Sequence, residues 1–319
     1  RIIAGNCRER GIKIHFPLLV ACGYSGSLVG MQGLSSSIPL ILNTPDHFLV
    51  DKIGLIALDD TIFSFWSMGI VAAIFIFLPS ILSMAAPDEK DSVEMPHAAD
   101  IDKAELVAVH KATMTPSQRV ESMKLIPMIL GCFGAFYVVR YFFLGGSLNL
   151  NSLNMIFVVL GLLFADSTRH YIELLSNAAK VAGPFLIQYP LYAGLMGMMA
   201  ESGLAEMFVN GFVAISTADT LPLWTFFSAA ILNIFIPSAG GQWAVQGPIM
   251  TEAALQLGSD IPRVAMAVAV GEVWTNAIQP LYAVPVLAIA GLHIRDIMGY
   301  MVITLMVNGA IYLAALLLF

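Results

Sequence analysis

The segment Gly23–Gly33, which reads GYSGSLVGMQG, has an imperfect copy in Pro237–Gly247, which reads PSAGGQWAVQG. The two copies align without a gap when Gln32 is set on Gln246. Each copy is a polar, glycine-rich interruption of a strongly apolar stretch. Paired interruptions in the two halves of a membrane protein are the best sequence indication of a transporter's binding site. The predicted fold is therefore built around these two segments.

A second pair of similar segments follows the two copies at nearly equal distance. Asp59–Ser64 reads DDTIFS, and Gly271–Asn276 reads GEVWTN. Both place carboxyl and small polar side chains inside apolar sequence. Together the two echoes predict an all-α membrane protein with an inverted repeat, in which each half carries a re-entrant hairpin and a broken helix.

Composition independently indicates an integral membrane protein. The chain is 58% hydrophobic and only 12% charged, with a mean hydropathy of +0.81, whereas soluble domains carry about 25% charged residues. Several apolar runs approach the length needed to cross a hydrocarbon core of about 30 Å. The net charge of −7 is local, because many of the acidic residues fall in one hydrophilic stretch. Nothing in this pattern indicates a nucleic-acid partner.

Residues 1–86 are predicted to form the C-terminal part of a first repeat. Its elements are a surface helix at 1–13, a hairpin at 14–44 with its tip at Gly23–Gly33, a helix at 48–64 broken near Asp59 and Asp60, and a span at 65–86. Each hairpin limb has about ten residues, which is too short to span a bilayer. A re-entrant path fits that length if the tip is buried in protein or lines a wet cavity.

Residues 87–124 are predicted to be a hydrophilic linker, and residues 125–319 the second repeat. The predicted elements of that repeat are spans at 125–144 and 154–165, a polar surface piece through Lys180, a span within 183–200, a hairpin at 221–257 with its tip at Pro237–Gln242, a broken span at 261–291 and a final span at 298–319. The two hairpins of this layout enter the membrane from opposite sides.

Basic residues test the predicted topology through the positive-inside rule. The layout puts only Arg140 and Arg263 on one face of the membrane. The opposite face carries Arg1, Arg8, Arg10, Lys13, Lys52, the five basic residues of the linker, Arg169, Lys180 and Arg295. This asymmetry predicts a multi-pass protein with a cytoplasmic linker.

The two glycine-rich tips are predicted to bind a small anion. Free N–H groups at half-helix N-termini attract a carboxylate without a buried cation, and Trp243 would contact a short alkyl tail. The alternative is that these small residues only let helices pack closely. The two tips are expected to meet halfway through the bilayer. The predicted substrate-binding residues are Ser25, Gly26, Ser27, Gln32, Ser238, Gly240, Gly241, Gln242, Trp243 and Gln246.

Carboxyl side chains at the two helix breaks are the candidates for coupling. A carboxyl inside a membrane is costly unless it is paired, solvated or protonated, and such residues are functional candidates. The group could carry a coupling proton, or its oxygens could help to bind Na⁺. The alternative is that these residues are merely solvated at wet helix ends. The candidate coupling residues are Asp60, Thr61, Glu272, Thr275 and Asn276.

One enzymatic motif needs to be weighed against transport. Gly23-Tyr24-Ser25-Gly26 matches the nucleophile segment of rhomboid-type intramembrane proteases. A serine nucleophile needs an adjacent base, and no histidine falls within a predicted span. A protease also does not explain why the segment recurs, so the chain is not expected to be an enzyme. A channel remains an alternative and would show flux without accumulation.

The segments Pro237–Pro248 (PSAGGQWAVQGP), Gly271–Pro280 (GEVWTNAIQP) and Asp60–Ser64 (DTIFS) resemble the bacterial short-chain fatty acid transporter family of the acetoacetate/butyrate type. The resemblance covers essentially the whole chain. The family has further N-terminal membrane helices, so we expect this chain to be an N-terminally truncated fragment.

The resemblance implies uptake of short-chain fatty acids across the bacterial inner membrane, without an organic cofactor. By analogy with the wider ion transporter superfamily, it implies a scaffold and a mobile transport domain that moves like an elevator, often within a homodimer. Dicarboxylate relatives carry Ser-Asn-Thr at their tips, which Ser25–Ser27 and Ser238–Gly240 do not match. The coupling ion, Na⁺ or H⁺, therefore stays open. The alternative substrate is another small organic anion, such as a dicarboxylate.

Overall fold

A computed structural model describes residues 2–95 and 115–318, and every regular element within them is helical. The helices are α1 (Ile2–Glu9), α2 (Phe16–Gln32), α3 (Ser37–Leu42), α4 (Val50–Ile53), α5 (Phe65–Met84), α6 (Pro116–Glu121), α7 (Leu125–Phe143), α8 (Leu150–Phe164), α9 (Thr168–Glu201), α10 (Leu204–Val213), α11 (Leu221–Phe235), α12 (Ala239–Leu257), α13 (Ile261–Asn276), α14 (Pro280–Ala290) and α15 (Ile294–Leu318). The all-α prediction is confirmed for this part of the chain.

The chain divides into two compact units. The first comprises Arg1–Ala99 with Leu191–Phe319, and the second comprises Asp100–Pro190. In the second unit α7 and α8 pack closely, because Gly131 and Gly134 leave room for side chains of α8. Small residues at such contacts are typical of membrane helices. The predicted division into repeat halves concerns symmetry rather than compactness, and it stays a prediction.

Three helices in the described part are long and apolar enough to cross a membrane, namely α5, α7 and α15. The pair α13 and α14 passes the same test together, with a bend of 49° at the break between them. The break follows from Pro280, because the residue before a proline avoids the helical region. Gln279 is accordingly extended, and Pro280 begins α14. The predicted break in segment 261–291 is therefore present, and whether the pair spans the membrane stays a prediction.

The second predicted hairpin is present, with α11 and α12 as its limbs. Pro237 lies between the limbs and lacks the N–H that a continuing helix needs. Ser238 then caps α12 by accepting a hydrogen bond from the backbone N–H of Gly241. At the far end Gly258 adopts a left-handed conformation, with φ 74°, which glycine adopts at no steric cost. The predicted tip therefore coincides with the observed break.

The predicted tip of the first hairpin is wrong. Gly23–Gly33 is not a loop, because α2 runs continuously through it to Gln32, and the chain turns at Gly33–Ser36 before α3. Each glycine costs a helix only about 1 kcal/mol. Burial of Tyr24 and Leu28 on the opposite face of α2 outweighs that cost. The aligned glutamines are thus not equivalent in the fold, since Gln32 precedes its tip and Gln246 follows its own.

Two further predicted elements differ from the structure. The segment 48–64 is not one broken helix, because only the four residues of α4 and a 3-10 turn at Leu58–Asp60 are helical. Gly54, with φ 66°, ends α4. The predicted surface piece and span between 168 and 200 form one continuous helix, α9. Membrane helices tolerate glycine and proline in their interior, so Gly183 and Pro184 do not break it.

Close packing of α11, α13 and α15 positions the centre of the first unit. A Cβ atom on Gly271 would lie 2.5 Å from the backbone oxygen of Phe226, so α11 and α13 touch at this point. The indole N–H of Trp274 donates to the backbone oxygen of Leu305 at 2.7 Å and ties α13 to α15. Glycine thus fixes the approach of α13, the helix that carries Glu272.

We predict that Gly271→Ala destabilises the protein by about 1–3 kcal/mol, as overpacking of a tight contact does. The clash is with a backbone atom, so no side-chain rotation relieves it. Gly69→Ala is the matched control, because a Cβ at Gly69 meets nothing within 4 Å. Thermal unfolding of the detergent-solubilised protein measures both variants. Equal melting temperatures for the two variants would contradict the packing described here.

Candidate functional site

The carboxyl of Glu272 is buried near the C-terminal end of α13, and the side chain is only 4% exposed. Its Oε1 accepts hydrogen bonds from the Asn276 amide at 2.8 Å and from the Tyr282 hydroxyl at 3.4 Å. Within residues 2–95 and 115–318, no lysine, arginine or histidine forms an ion pair with it. A buried carboxylate without a cation is costly. This carboxyl is therefore a candidate for binding a proton or a metal cation.

Asn233 connects the second hairpin to the broken span. Its side-chain nitrogen lies 2.7 Å from Asn276 Oδ1, 2.9 Å from Thr275 Oγ1 and 3.0 Å from the backbone oxygen of Glu272. The amide oxygen of Asn233 is buried and has no hydrogen-bond partner in the described structure. Three oxygen atoms at the end of α13 thus surround the side-chain nitrogen of Asn233. Oxygen atoms are the ligands that hard cations prefer.

The tip of the second hairpin lies directly beside this cluster. The Tyr282 hydroxyl donates to the backbone oxygen of Pro237 at 2.9 Å and also lies within reach of Glu272. Ser238 is exposed, and Gly240 and Gly241 are half-buried. The first N–H groups of a helix have no partner within the helix. An accessible, positively polarised helix end therefore adjoins the buried carboxyl.

Gln242 and Gln246 lie inside the second hairpin and hold its limbs together. Gln242 Nε2 donates to the Ala229 backbone oxygen at 2.9 Å and to Gln246 Oε1 at 3.0 Å. Gln246 Nε2 donates to Ser228 Oγ at 2.8 Å. Both glutamines are fully buried. Their role as direct substrate ligands stays a prediction, and their observed contacts are within the hairpin.

Trp243 belongs to the apolar core rather than to an exposed surface. It is 1% exposed and packs in a cluster with side chains of α3 and α13, including Ile38 and Met266. Its ring also lies against Gly247, where a Cβ would clash at 2.7 Å. Its predicted contact with an alkyl tail stays untested.

The candidate residues of the first segment divide between the two faces of α2. Ser25 is buried and shares a hydrogen bond of 2.9 Å with Thr304 of α15. Gln32 is also buried and accepts from the Tyr312 hydroxyl at 2.6 Å. Gly26 and Ser27 are exposed, and the Ser27 hydroxyl donates to its own helix at the Tyr24 oxygen. Two of these residues therefore connect helices, whereas two lie on an open surface.

The structure does not join Gln32 to Gln246 by a hydrogen bond. Gln32 accepts from Tyr312, whereas Gln246 bonds within its own hairpin. α13 packs against both α2 and α12 and links the two regions. The Tyr24 hydroxyl of α2 donates to the Asn276 backbone oxygen at 2.6 Å. The end of α13 is thus the place where contacts from both segments converge.

The candidate coupling residues differ from one another in burial. Thr61 is buried, and its hydroxyl donates to the Ala57 and Leu58 backbone oxygens. Asp60 beside it is exposed. Glu272 and Asn276 are buried, and Thr275 is half-buried. Glu272 is therefore the buried carboxyl among the candidates, whereas Asp60 is exposed on the protein surface.

Several residues of the cluster were missed from the sequence, chiefly Asn233, Tyr282, Tyr24 and Tyr312. Tyrosine in an apolar helix is common, because its ring buries well, so its presence gives no functional indication. Asn233 carried a usable signal. It is a lone amide in the apolar run of α11, and polar residues inside membrane helices are often functional.

The chain matches the family described as "Short chain fatty acid transporter" over residues 1–319. It is 38% identical over 305 residues to an Escherichia coli protein named "Putative short-chain fatty acid transporter", covering 95% of this chain and 69% of that protein. A Haemophilus influenzae protein of the same name is 34% identical over 311 residues, covering 94% and 69% respectively. The chain belongs to the short-chain fatty acid transporter family. No solved structure matches it.

Family membership confirms the resemblance seen in the sequence motifs. The protein is a membrane transporter and not an enzyme. The Gly-x-Ser-Gly segment is accounted for by the fold, because Ser25 bonds to Thr304 and to its own helix at Ala21.

We predict that Gln246→Ala lowers the stability of this family member by about 1–3 kcal/mol, because it leaves buried polar partners in the hairpin unsatisfied. Ser27→Ala should leave stability nearly unchanged, since the exposed Ser27 bonds only within its own helix. Thermal unfolding in detergent measures both variants. If Gln246→Ala unfolds at the parent temperature, the glutamine is not a structural link between the limbs.

Proposed function

We propose that this transporter is a secondary active carrier that imports short-chain fatty acids, such as acetoacetate and butyrate, across the bacterial inner membrane as a multi-pass protein. The carrier would couple import to entry of H⁺ or Na⁺. Family membership supports the substrate class. The single observation that carries the mechanism is the contact between the second hairpin tip and Glu272 through Tyr282.

The substrate carboxylate would bind at the N-terminal end of α12. The first-turn N–H groups other than that of Gly241, which donates to Ser238 Oγ, would attract an anion there together with the helix dipole, and the exposed Ser238 hydroxyl has a hydrogen of its own to donate. The glycines at 240 and 241 let a ligand approach the backbone closely. The donors that hold the anion are uncharged, so the binding site has little fixed positive charge. The anion can therefore be released on the other side of the membrane.

Apolar side chains beside the same tip suit a short alkyl tail. A Cβ on Gly240 would lie 3.6 Å from the Ile41 side chain, and a Cβ on Gly241 would lie 3.0 Å from the sulfur of Met196. These neighbours offer no polar partner to a second carboxylate. A dicarboxylate would also bury a second charge against these apolar side chains. A buried charge without a partner is costly, so the site favours monocarboxylates.

Coupling would follow from the charge of Glu272. An ionised carboxyl beside the tip repels an incoming anion, whereas a carboxyl neutralised by H⁺ or Na⁺ does not. Binding of the cation and of the fatty acid would therefore support each other, which is thermodynamic coupling between two sites. Asp60, whose side chain is exposed, is the second candidate for this role.

Uptake of labelled butyrate into vesicles that contain the full-length protein tests the substrate class. We predict accumulation above that in empty vesicles, strong competition by acetoacetate and weak competition by succinate. Equal competition by succinate would favour a dicarboxylate carrier. Flux that never exceeds equilibration would indicate a channel.

We predict that Gly240→Val weakens butyrate binding about tenfold, because the side chain covers the first N–H groups of α12 and removes hydrogen bonds to an anion. Gly69→Val is the control, since position 69 lies on α5 away from the tip and has no neighbour within 4 Å of a Cβ. The half-saturation concentration for butyrate uptake measures the effect. An unchanged value in Gly240→Val would place the substrate elsewhere.

A further inference from the structure

The hydroxyl of Tyr282 lies between two acceptors that belong to different elements. The backbone oxygen of Pro237, at the second hairpin tip, is 2.9 Å away, and Oε1 of Glu272, on α13, is 3.4 Å away. Tyr282 itself is in the first turn of α14, just beyond the break in the span. A phenol has one hydrogen to donate. A strong hydrogen bond to one acceptor therefore weakens the bond to the other.

The charge of Glu272 decides which acceptor is preferred. An ionised carboxylate accepts hydrogen bonds roughly twice as strongly as a neutral oxygen, so it competes with the carbonyl of Pro237 for the hydroxyl. Once a cation neutralises the carboxyl, the carbonyl is the better acceptor. The shorter distance in the structure is the one to Pro237, which is the arrangement in which the tip is held.

We propose that Tyr282 is a positioning residue that links neutralisation of Glu272 to fixation of the second hairpin tip. The inference rests on the proposed function of the same site. With the carboxyl charged, the hydroxyl turns to Glu272 and the tip loses its bond to α14. With the coupling cation bound, the hydroxyl returns to Pro237 and the tip is fixed. The N-terminal end of α12 is then ordered for the substrate only when the cation is present.

The other tyrosines near Glu272 are committed to different acceptors. Tyr24 donates to the Asn276 backbone oxygen at 2.6 Å, and Tyr312 donates to Gln32 at 2.6 Å. In the described ranges no basic side chain forms an ion pair with this carboxyl. Tyr282 is therefore the hydroxyl placed to exchange between the carboxyl and the hairpin tip.

Accessibility of the tip tests the proposal. Ser238→Cys, in full-length protein whose native cysteines, including Cys7, Cys22 and Cys132, are replaced by serine, reports on the tip because position 238 is exposed. The rate of maleimide labelling is measured in vesicles. Na⁺ is exchanged for choline at fixed pH, and pH is varied at fixed Na⁺. We expect labelling to slow about fivefold when the coupling cation is present, as the gain of one hydrogen bond allows.

Two variants are expected to make labelling of the tip independent of the cation, one with fast labelling and the other with slow labelling. Tyr282→Phe removes only the hydroxyl, so labelling should be fast with or without the cation. Glu272→Gln is permanently neutral, so labelling should be slow in both conditions. Tyr141→Phe is the matched control, because the Tyr141 hydroxyl also donates to a backbone oxygen, that of Ser147, at 3.0 Å. It should respond to the cation as the parent does.

The proposal is overturned if Tyr282→Phe slows with the cation as the parent does, or if the parent shows no cation effect. If Tyr282→Phe does not fold, fast labelling of Glu272→Gln without the cation overturns it as well. Butyrate uptake by the full-length protein that retains Ser238 and its native cysteines separates this result from the proposed function. Uptake with cation-independent labelling rejects the role of Tyr282 alone. Cation-dependent labelling without butyrate uptake rejects the substrate and keeps that role.

Discussion

The proposed site depends on one constraint: the Glu272 carboxyl is buried near the end of α13, and no basic side chain in residues 2–95 and 115–318 forms an ion pair with it. An apolar interior tolerates such a group only when hydrogen bonds, water, a proton or a bound ion compensate for lost hydration. Here Asn276 and Tyr282 supply two of those hydrogen bonds. The remaining deficit is what a coupling cation would remove. The free-energy cost of burying the Glu272 carboxyl is therefore the physical basis of its proposed role in coupling.

Close packing of the neighbouring helices fixes the position of α13 around Glu272. Gly271 brings α13 against α11, and Trp274 fastens α13 to α15. Asn233 then reaches α13 from the hairpin, and Tyr24 reaches it from α2. All of these contacts are made with α13. A change in charge at the C-terminal end of α13 would therefore affect its contacts with α2, α11 and α15 together.

The second hairpin and the broken span could be predicted from the sequence, because local chemistry determines both. Each break lies at a proline, Pro237 between the hairpin limbs and Pro280 at the start of α14, and proline favours a break because it lacks the backbone N–H of a continuing helix. The first hairpin was misplaced for the opposite reason. Its glycines permit a turn but do not require one, and burial of the other face of α2 decides in favour of a helix. The observed tip at Gly33–Ser36 also has no proline at its turn.

The candidate site was predictable only in part. Glu272 stood out because a carboxyl in an apolar run is unusual, and the structure places it in the interior. Its partners Asn233 and Tyr282 lie 39 and 10 residues away in sequence and meet it only through tertiary packing. The two aligned glutamines illustrate the same limit. They are alike in sequence, yet one bonds to α15 and the other bonds within its hairpin.

If Glu272 couples cation entry to substrate movement, neutralising its side chain should separate exchange from accumulation. Butyrate exchange and gradient-driven accumulation are therefore compared in vesicles that contain full-length Glu272→Gln. A permanently neutral side chain should still let labelled butyrate exchange across the membrane, because the binding tip is intact. It should abolish accumulation driven by either a proton or a sodium gradient. Gradient-driven accumulation at the parent level in this variant would contradict the account.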